Sequence, residues 1–185
     1  MLHLRTERLQ LVAVTLELAQ AERAGPQRLA KLLHAHVPPS WPPPLNDERT
    51  LRWTIEFLTR HPEGVGWGPW YFLHREHAEL RLVGQGGFTG LPAEDGTVEI
   101  GYSIVPECHR LGLAPEAVRA LVAWAFGHPP ITRVVAHTLP SLVPSIRVLE
   151  KCGFAADGAG TGPGTVRYTL TRAAAPRSPG THARS

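Results

Sequence analysis

The sequence predicts an α/β protein in which a mixed sheet is flanked by helices, and three observations support this. Val98, Ile100, Tyr102 and Ile104 alternate with Glu99, Gly101 and Ser103, the period of a strand with two different faces. Shortly afterwards Val118, Leu121, Val122 and Ala125 fall at i, i+3, i+4 and i+7, the apolar stripe of a helix. The remaining segments place helices near the N-terminus, then a strand pair, then strand, helix, strand, helix and strand, an order that layers helices on a sheet.

Taken in order, Leu9, Leu11 and Ala13 alternate with Gln10 and Val12 in a first strand, and residues 15–23 and 26–36 read as helices. Residues 37–44 hold five prolines and must be an extended loop, which carries Trp41. Asp47 is placed to cap a helix through Arg60, with Leu51, Ile55 and Leu58 facing inward and Pro62 just beyond its end. Residues 70–74 and 80–88 are strands joined near Glu76, and Gly84, Gly86 and Gly87 invite a bulge or a close backbone approach. Pro106 ends the next strand, and a helix starts near Ala114 and reaches about Phe126. A strand over 131–138, a short helix over 145–151 closed by Gly153, and a strand over 165–170 complete the chain, without internal repeats.

The chain has 185 residues, and at about 150 residues per domain it is expected to form one domain over 1–172. A tail over 173–185, rich in Pro, Ser, Arg and small residues, is expected to be disordered. No apolar run approaches the roughly 20 residues that cross a bilayer, and the first residues lack the apolar core of a signal peptide. The expected location is therefore the cytoplasm, with no membrane partner. Cys108 and Cys152 fit no metal spacing and are expected as free thiols. The net charge of +3 is scattered, with no basic run interleaved with aromatics, so nucleic acid is not an expected partner. His34 with His36, and His74 with His77, lack the further ligands a metal site needs, and no metal is expected.

The segment between the alternating strand and the helix after it is the most informative. His109, Arg110, Leu111, Gly112, Leu113 and Ala114 form a small-residue turn that feeds directly into the helix. A helix start leaves backbone N–H groups without partners and carries partial positive charge, so a diphosphate is favoured there. Gly112 allows close approach and Ala114 keeps the entry small; Pro115 suits the first turn but donates no N–H. An ordinary tight connection is the plain alternative. A Gly112→Val change is expected to push a side chain into the phosphate position.

These residues resemble the acyl-coenzyme A loop of the GNAT acetyltransferases, whose pattern is Gln or Arg, two residues, Gly, one residue, then Gly or Ala; His109, Gly112 and Ala114 stand at those places. The resemblance extends to E-I-G-Y before the loop, P-E-A-V after it, T-L-P-S-L-V-P-S-I-R-V-L-E-K-C-G-F farther on, and L-R-T-E-R-L-Q-L near the start. Over roughly residues 2–170 the chain is similar to the branch that includes the ribosomal-protein N-terminal acetyltransferases. The resemblance implies a GNAT fold in which the strands holding Tyr102 and Val135 splay apart around the pantetheine arm. It further implies acetyl transfer from acetyl-CoA to a primary amine, a protein N-terminus or a small molecule, by direct attack. The coenzyme is expected along Ile104, Val105, residues 109–114 and Ser145. A non-catalytic acyl-CoA binding or sensing module is the alternative, and a homodimer is left open.

Acetyl transfer needs a neutral amine, a polarised carbonyl and a proton for the departing thiolate. Glu99, in an apolar strand, matches a glutamate that serves as base in several GNAT branches; a structural carboxylate at the strand edge is the competing role. Ser145 matches the serine of the family's N-x-x-S stretch, as acid or thioester contact, and is equally placed to cap the helix that follows. The family's asparagine and tyrosine positions hold Leu142 and Leu149. Cys108 borders the loop but lacks the His and Asp that would make it a nucleophile. Trp41 and Trp67, in Pro- or Gly-rich loops, are the candidates to line an acceptor pocket beside Glu99, and core packing is the alternative for each.

Overall fold

The computed structural model describes residues 1–76 and 79–175. The strands are β1 (His3–Arg5), β2 (Leu9–Ala13), β3 (Pro69–Glu76), β4 (Glu79–Phe88), β5 (Thr97–Ile104), β6 (Arg133–Thr138), β7 (Ala155–Ala159) and β8 (Val166–Thr171). The helices are α1 (Leu16–Ala24), α2 (Pro26–Leu33), α3 (Glu48–Arg60), α4 (Leu113–Phe126) and α5 (Val143–Lys151). Local chemistry sets the ends: the Thr15 hydroxyl accepts from Leu18 N, and the Asp47 carboxylate accepts from Thr50 N, each satisfying an orphan amide of its helix.

The eight strands form one sheet in the order β1-β2-β3-β4-β5-β6-β8-β7. Every neighbouring pair is antiparallel except β5 and β6, which run parallel and are bridged by α4. Their ladder covers only Thr97–Glu99 against Arg133–Val135, and beyond it the strands diverge. Core packing distinguishes the two faces. Trp70, Phe72, Val98, Ile100, Val134 and Ala136 pack with Val118 and Leu121 of α4 and Leu149 of α5. On the other face Val12, Tyr71, Leu73 and Leu82 pack with Leu18 of α1, Leu29 of α2 and Phe57 of α3.

Several elements differ from the sequence reading. The helix expected over 26–36 stops at Leu33, because His34 turns left-handed at φ 48° and His36 forms a β-bridge to Arg81, exchanging backbone hydrogen bonds with Leu80 and Leu82. The inward face of α3 is Thr54, Phe57 and Leu58 rather than Leu51, Ile55 and Leu58; the Trp53–Phe57 ring stack at 5.2 Å, 7° from parallel, goes with that rotation. α5 starts at Val143, two residues early, so Ser145 lies inside its first turn and is not its cap. The strands β1 and β7 were not read from sequence. A bulge does interrupt β3 and β4, where the register shifts between Phe72 and Leu73. His77 and most of the expected tail, from residue 176 on, lie outside the described residues.

Candidate functional site

The turn ahead of α4 builds a cluster of free donors. Arg110 and Gly112 both take left-handed backbone, at φ 63° and 78°, which fans successive amides to one side. No acceptor among the described residues pairs with the amides of 110–114, and α4 has no side-chain cap. The Leu111 carbonyl is taken by Arg8, whose Nη1 donates to it at 2.8 Å. Arg8 is itself fixed by Glu116 in the first turn of α4, through Nε at 2.8 Å and Nη2 at 2.7 Å. A cation and a group of unpaired amides therefore share the mouth of α4.

Not every residue of the turn is free. The His109 ring lies with Nε2 2.8 Å from the Ile104 carbonyl, sealing the end of β5. Val105 donates its N–H to Val83 and accepts from Cys108 N, and its side chain is fully buried, which leaves it no group for a ligand. That corrects its expected place along the coenzyme. Leu113 is buried too and offers only its amide.

Beyond the short β5–β6 ladder the strand edge is bare. Glu99 O and Val105 N both bond to the β4 side, so by the alternation of the ladder the backbone groups of Tyr102 point toward the opening, where β6 no longer pairs. Side chains alternate as well. Glu99, Gly101 and Ser103 lie on the face away from α4, and a methyl group added at Gly101 would meet nothing within 4 Å. His137, two residues beyond Val135 on β6, shares that face, and its Nδ1 lies 3.0 Å from Glu99 Oε1.

On the α4 face, the Tyr102 hydroxyl donates to the Ser145 carbonyl at 2.9 Å and lies 3.3 Å from Ser145 Oγ. Burial pushes the Tyr102 phenol up to about 12, against a small opposing effect of the Ser145 contact. It therefore stays protonated through the neutral range. The opening thus has a carboxylate and an imidazole on one side and two hydroxyl groups on the other.

The sequence profile of the acetyltransferase (GNAT) domain matches residues 8–155. The chain belongs to the GNAT acetyltransferase family. It is 28% identical over 156 residues to the uncharacterized N-acetyltransferase YjdG of Bacillus subtilis (strain 168), spanning 83% of this chain and 90% of that one. Two solved structures share the fold. One is a candidate ribosomal-protein-serine acetyltransferase from Vibrio cholerae, at 20% identity and TM-score 0.62, over 91% of this chain and 97% of that one. The other is the Microcin C7 self-immunity acetyltransferase MccE in complex with acetyl-CoA and AMP, at 15% identity and TM-score 0.61, over 90% and 93%. GNAT membership makes this chain an N-acetyltransferase with a mixed α/β fold.

The two tryptophans picked from sequence part company in this GNAT domain. Trp67 packs against Trp124 at 4.7 Å, Phe88 at 5.4 Å and His128 at 5.0 Å, an aromatic cluster above α4. It serves the core, on the face opposite the Glu99 side chain. Trp41 sits edge-on to Tyr71 at 5.7 Å and donates Nε1 to Glu22 at 2.7 Å, while the Tyr71 hydroxyl donates to the other Glu22 oxygen. Trp41 and Glu22 line an open cavity of about 700 Å³ with Leu29, Pro38, Asp47 and Leu51. Tyr71 pairs across the sheet with Gln85, and Gln85 with Ser103, so this cavity and Glu99 belong to the same face.

Both thiols are buried and unsuited to nucleophilic attack. Burial raises Cys108, and it drives Cys152, whose Sγ contacts the Pro115 carbonyl at 3.5 Å, up to about 11. Among the described residues no three His, Cys, Asp or Glu side chains gather as a metal cluster, and no helix is long and apolar enough to cross a membrane. Arg8, Tyr102 and His137 were missed as site residues from sequence. Arg8 and Tyr102 stand inside quoted motifs, and His137 is the lone ionisable group within the apolar run V-V-A-H-T.

Proposed function

We propose that this chain transfers the acetyl group of acetyl-CoA to a primary amine by direct attack, without a covalent enzyme intermediate. The observation that carries the reading is the set of unpaired amides at residues 110–114, opening onto the splay between β5 and β6. The diphosphate sits on those amides and beside Arg8, where the helix start and the guanidinium both favour negative charge. The pantetheine arm follows the bare edge of β5 at Tyr102, replacing the ladder that β6 gives up. The binding of acetyl-CoA by MccE, a protein of the same fold, supports this placement.

The acceptor approaches on the face away from α4, past Ser103 and Gly101 toward Glu99. It is a protein N-terminus or a small-molecule amine, entering from the side of the cavity lined by Trp41 and Glu22. The Glu99 carboxylate supplies the negative charge that draws the ammonium in and helps remove its proton. Tyr102 and Ser145, on the other face, stand where the departing thiolate needs a proton. A purely acyl-CoA-binding role would leave these two sets of groups without a use.

Thiol release from acetyl-CoA across a panel of amines, run beside a coenzyme-binding assay, tests the reading. Turnover with at least one primary amine, lost in Glu99→Gln while coenzyme affinity stays, is the expected result. Tight coenzyme binding with no turnover on any amine, unchanged in Glu99→Gln, would establish the binding module instead.

A further inference from the structure

His137 is buried beside Glu99 with both ring nitrogens unused. Neither Nδ1 nor Nε2 hydrogen-bonds to any group among the described residues. Nδ1 is nevertheless 3.0 Å from Glu99 Oε1; the distance suits a hydrogen bond and the alignment does not, a mismatch that a small rotation of the half-exposed Glu99 side chain removes. Buried polar atoms are satisfied as a rule, so an imidazole left idle against a carboxylate at the edge of a reaction site calls for a use.

The ring is held in place by its surroundings. A methyl group at Gly160 would lie 3.0 Å from His137 Cδ2, so the turn leading into β8 packs on the ring edge. Arg167, opposite His137 on β8, turns its Nε to Asp157 at 3.2 Å. The charged group within contact of His137 is Glu99, and it meets Nδ1 alone. A carboxylate on Nδ1 fixes the tautomer with the proton there and leaves the Nε2 lone pair to accept another.

We propose that His137 Nε2 takes the proton from the acceptor ammonium, with Glu99 orienting the ring and balancing its charge through Nδ1. The proposal rests on the acetyl-transfer reading and names the atom that does the proton work. A free imidazole accepts a proton more readily than a free carboxylate at neutral pH, and so matches an amine better. The ammonium gives one proton to Nε2, and the freed lone pair attacks the thioester carbonyl. The C–N bond forms, the C–S bond breaks, and the thiolate leaves with the second proton of the amine, relayed by the hydroxyl groups at Tyr102 and Ser145. The imidazolium returns its proton to solvent, so one ammonium and one thioester give one amide, one thiol and one proton.

The experiment uses the full chain with acetyl-CoA and an amine that the wild type acetylates. In His137→Gln, kcat falls by about 100-fold or more, the size expected for loss of a general base, while KM for acetyl-CoA stays within about twofold. In His137→Ala, added free imidazole restores part of the lost rate. Should His137→Gln fail to fold by circular dichroism, His137→Asn carries the same expectation. Wild-type kcat in the glutamine variant beside a dead Glu99→Gln would show that the carboxylate acts alone, overturning the proposal and sparing the acetyl-transfer reading. Equal losses of coenzyme affinity and rate, with no response to imidazole, would make His137 structural and also overturn it. A wild type that acetylates no amine overturns both.

Discussion

Arg8 crosses from the turn between β1 and β2 to Glu116 in the first turn of α4, with Nη2 2.7 Å from Oε2 and its own backbone N–H on Oε1 at 2.9 Å. The same guanidinium holds the Leu111 carbonyl, so the carbonyls of the turn point away while its amides stay free. Burial raises the Glu116 carboxyl, but hydrogen bonds from Thr6 and Arg8 outweigh it and the net shift is downward, which keeps the partner of Arg8 ionised.

From this contact Arg8→Ala is expected to raise KM for acetyl-CoA roughly five- to tenfold, about 1 kcal/mol for a half-exposed charge-assisted contact. S-acetyl pantetheine, which lacks the diphosphate, is expected to keep its KM. Steady-state kinetics with the two donors decides the matter, because equal damage to both would place Arg8 in folding rather than in phosphate recognition.

Gly112 is left-handed, and a methyl group there would lie 3.4 Å from Arg8 Nη2. The added side chain therefore meets Arg8 rather than the phosphate position anticipated from sequence, and the main penalty is backbone strain of about 1–2 kcal/mol. Gly112→Val is expected to weaken coenzyme binding by roughly tenfold or more, and Gly112→Asn by much less, since Asn tolerates this conformation. Calorimetric titration with coenzyme A would reveal an error here if the two variants bound alike.

Tyr102, protonated through the neutral range, is a donor at the departing thiolate directly or through Ser145. Tyr102→Phe is expected to lower kcat about tenfold with little change in KM for acetyl-CoA, and Ser145→Ala to do the same. The double variant should fall by less than the product of the two effects, because the hydroxyls act as one unit. Multiplicative losses in the kinetic cycle would assign them separate duties.

Glu22 has its carboxyl raised above 4.5 by burial, partly offset by hydrogen bonds from Tyr71 and Trp41. The folded state thus holds this proton more tightly than the unfolded chain, and stability declines as pH rises from 4.5 through the raised value. Urea unfolding at a series of pH values above 4.5 should show that decline in the wild type and a shallower one in Glu22→Gln. Parallel curves would assign the pH dependence to other groups.

What the sequence made legible follows signal strength. β5 and α4 carry long, clean periodicities, and their placement came out within a residue or two. β7 reads Ala-Ala-Asp-Gly-Ala, fully exposed, with no apolar alternation to betray a strand that exists only by pairing with β8. β1 is three residues long and likewise owes its structure to its neighbour. The site shows the same division. Gly112 and Glu99 announce themselves through local pattern, whereas the approach of His137 to Glu99 and of Arg8 to Glu116 depends on register and on a crossing of more than a hundred residues, which no local pattern encodes.

The three rungs that join β5 to β6 give this molecule a spine. The leaf of five strands and the leaf of three are each laced by longer antiparallel ladders, so bending between them concentrates at Thr97–Glu99. The book hinges at its thinnest binding, one residue from where the pages begin to part.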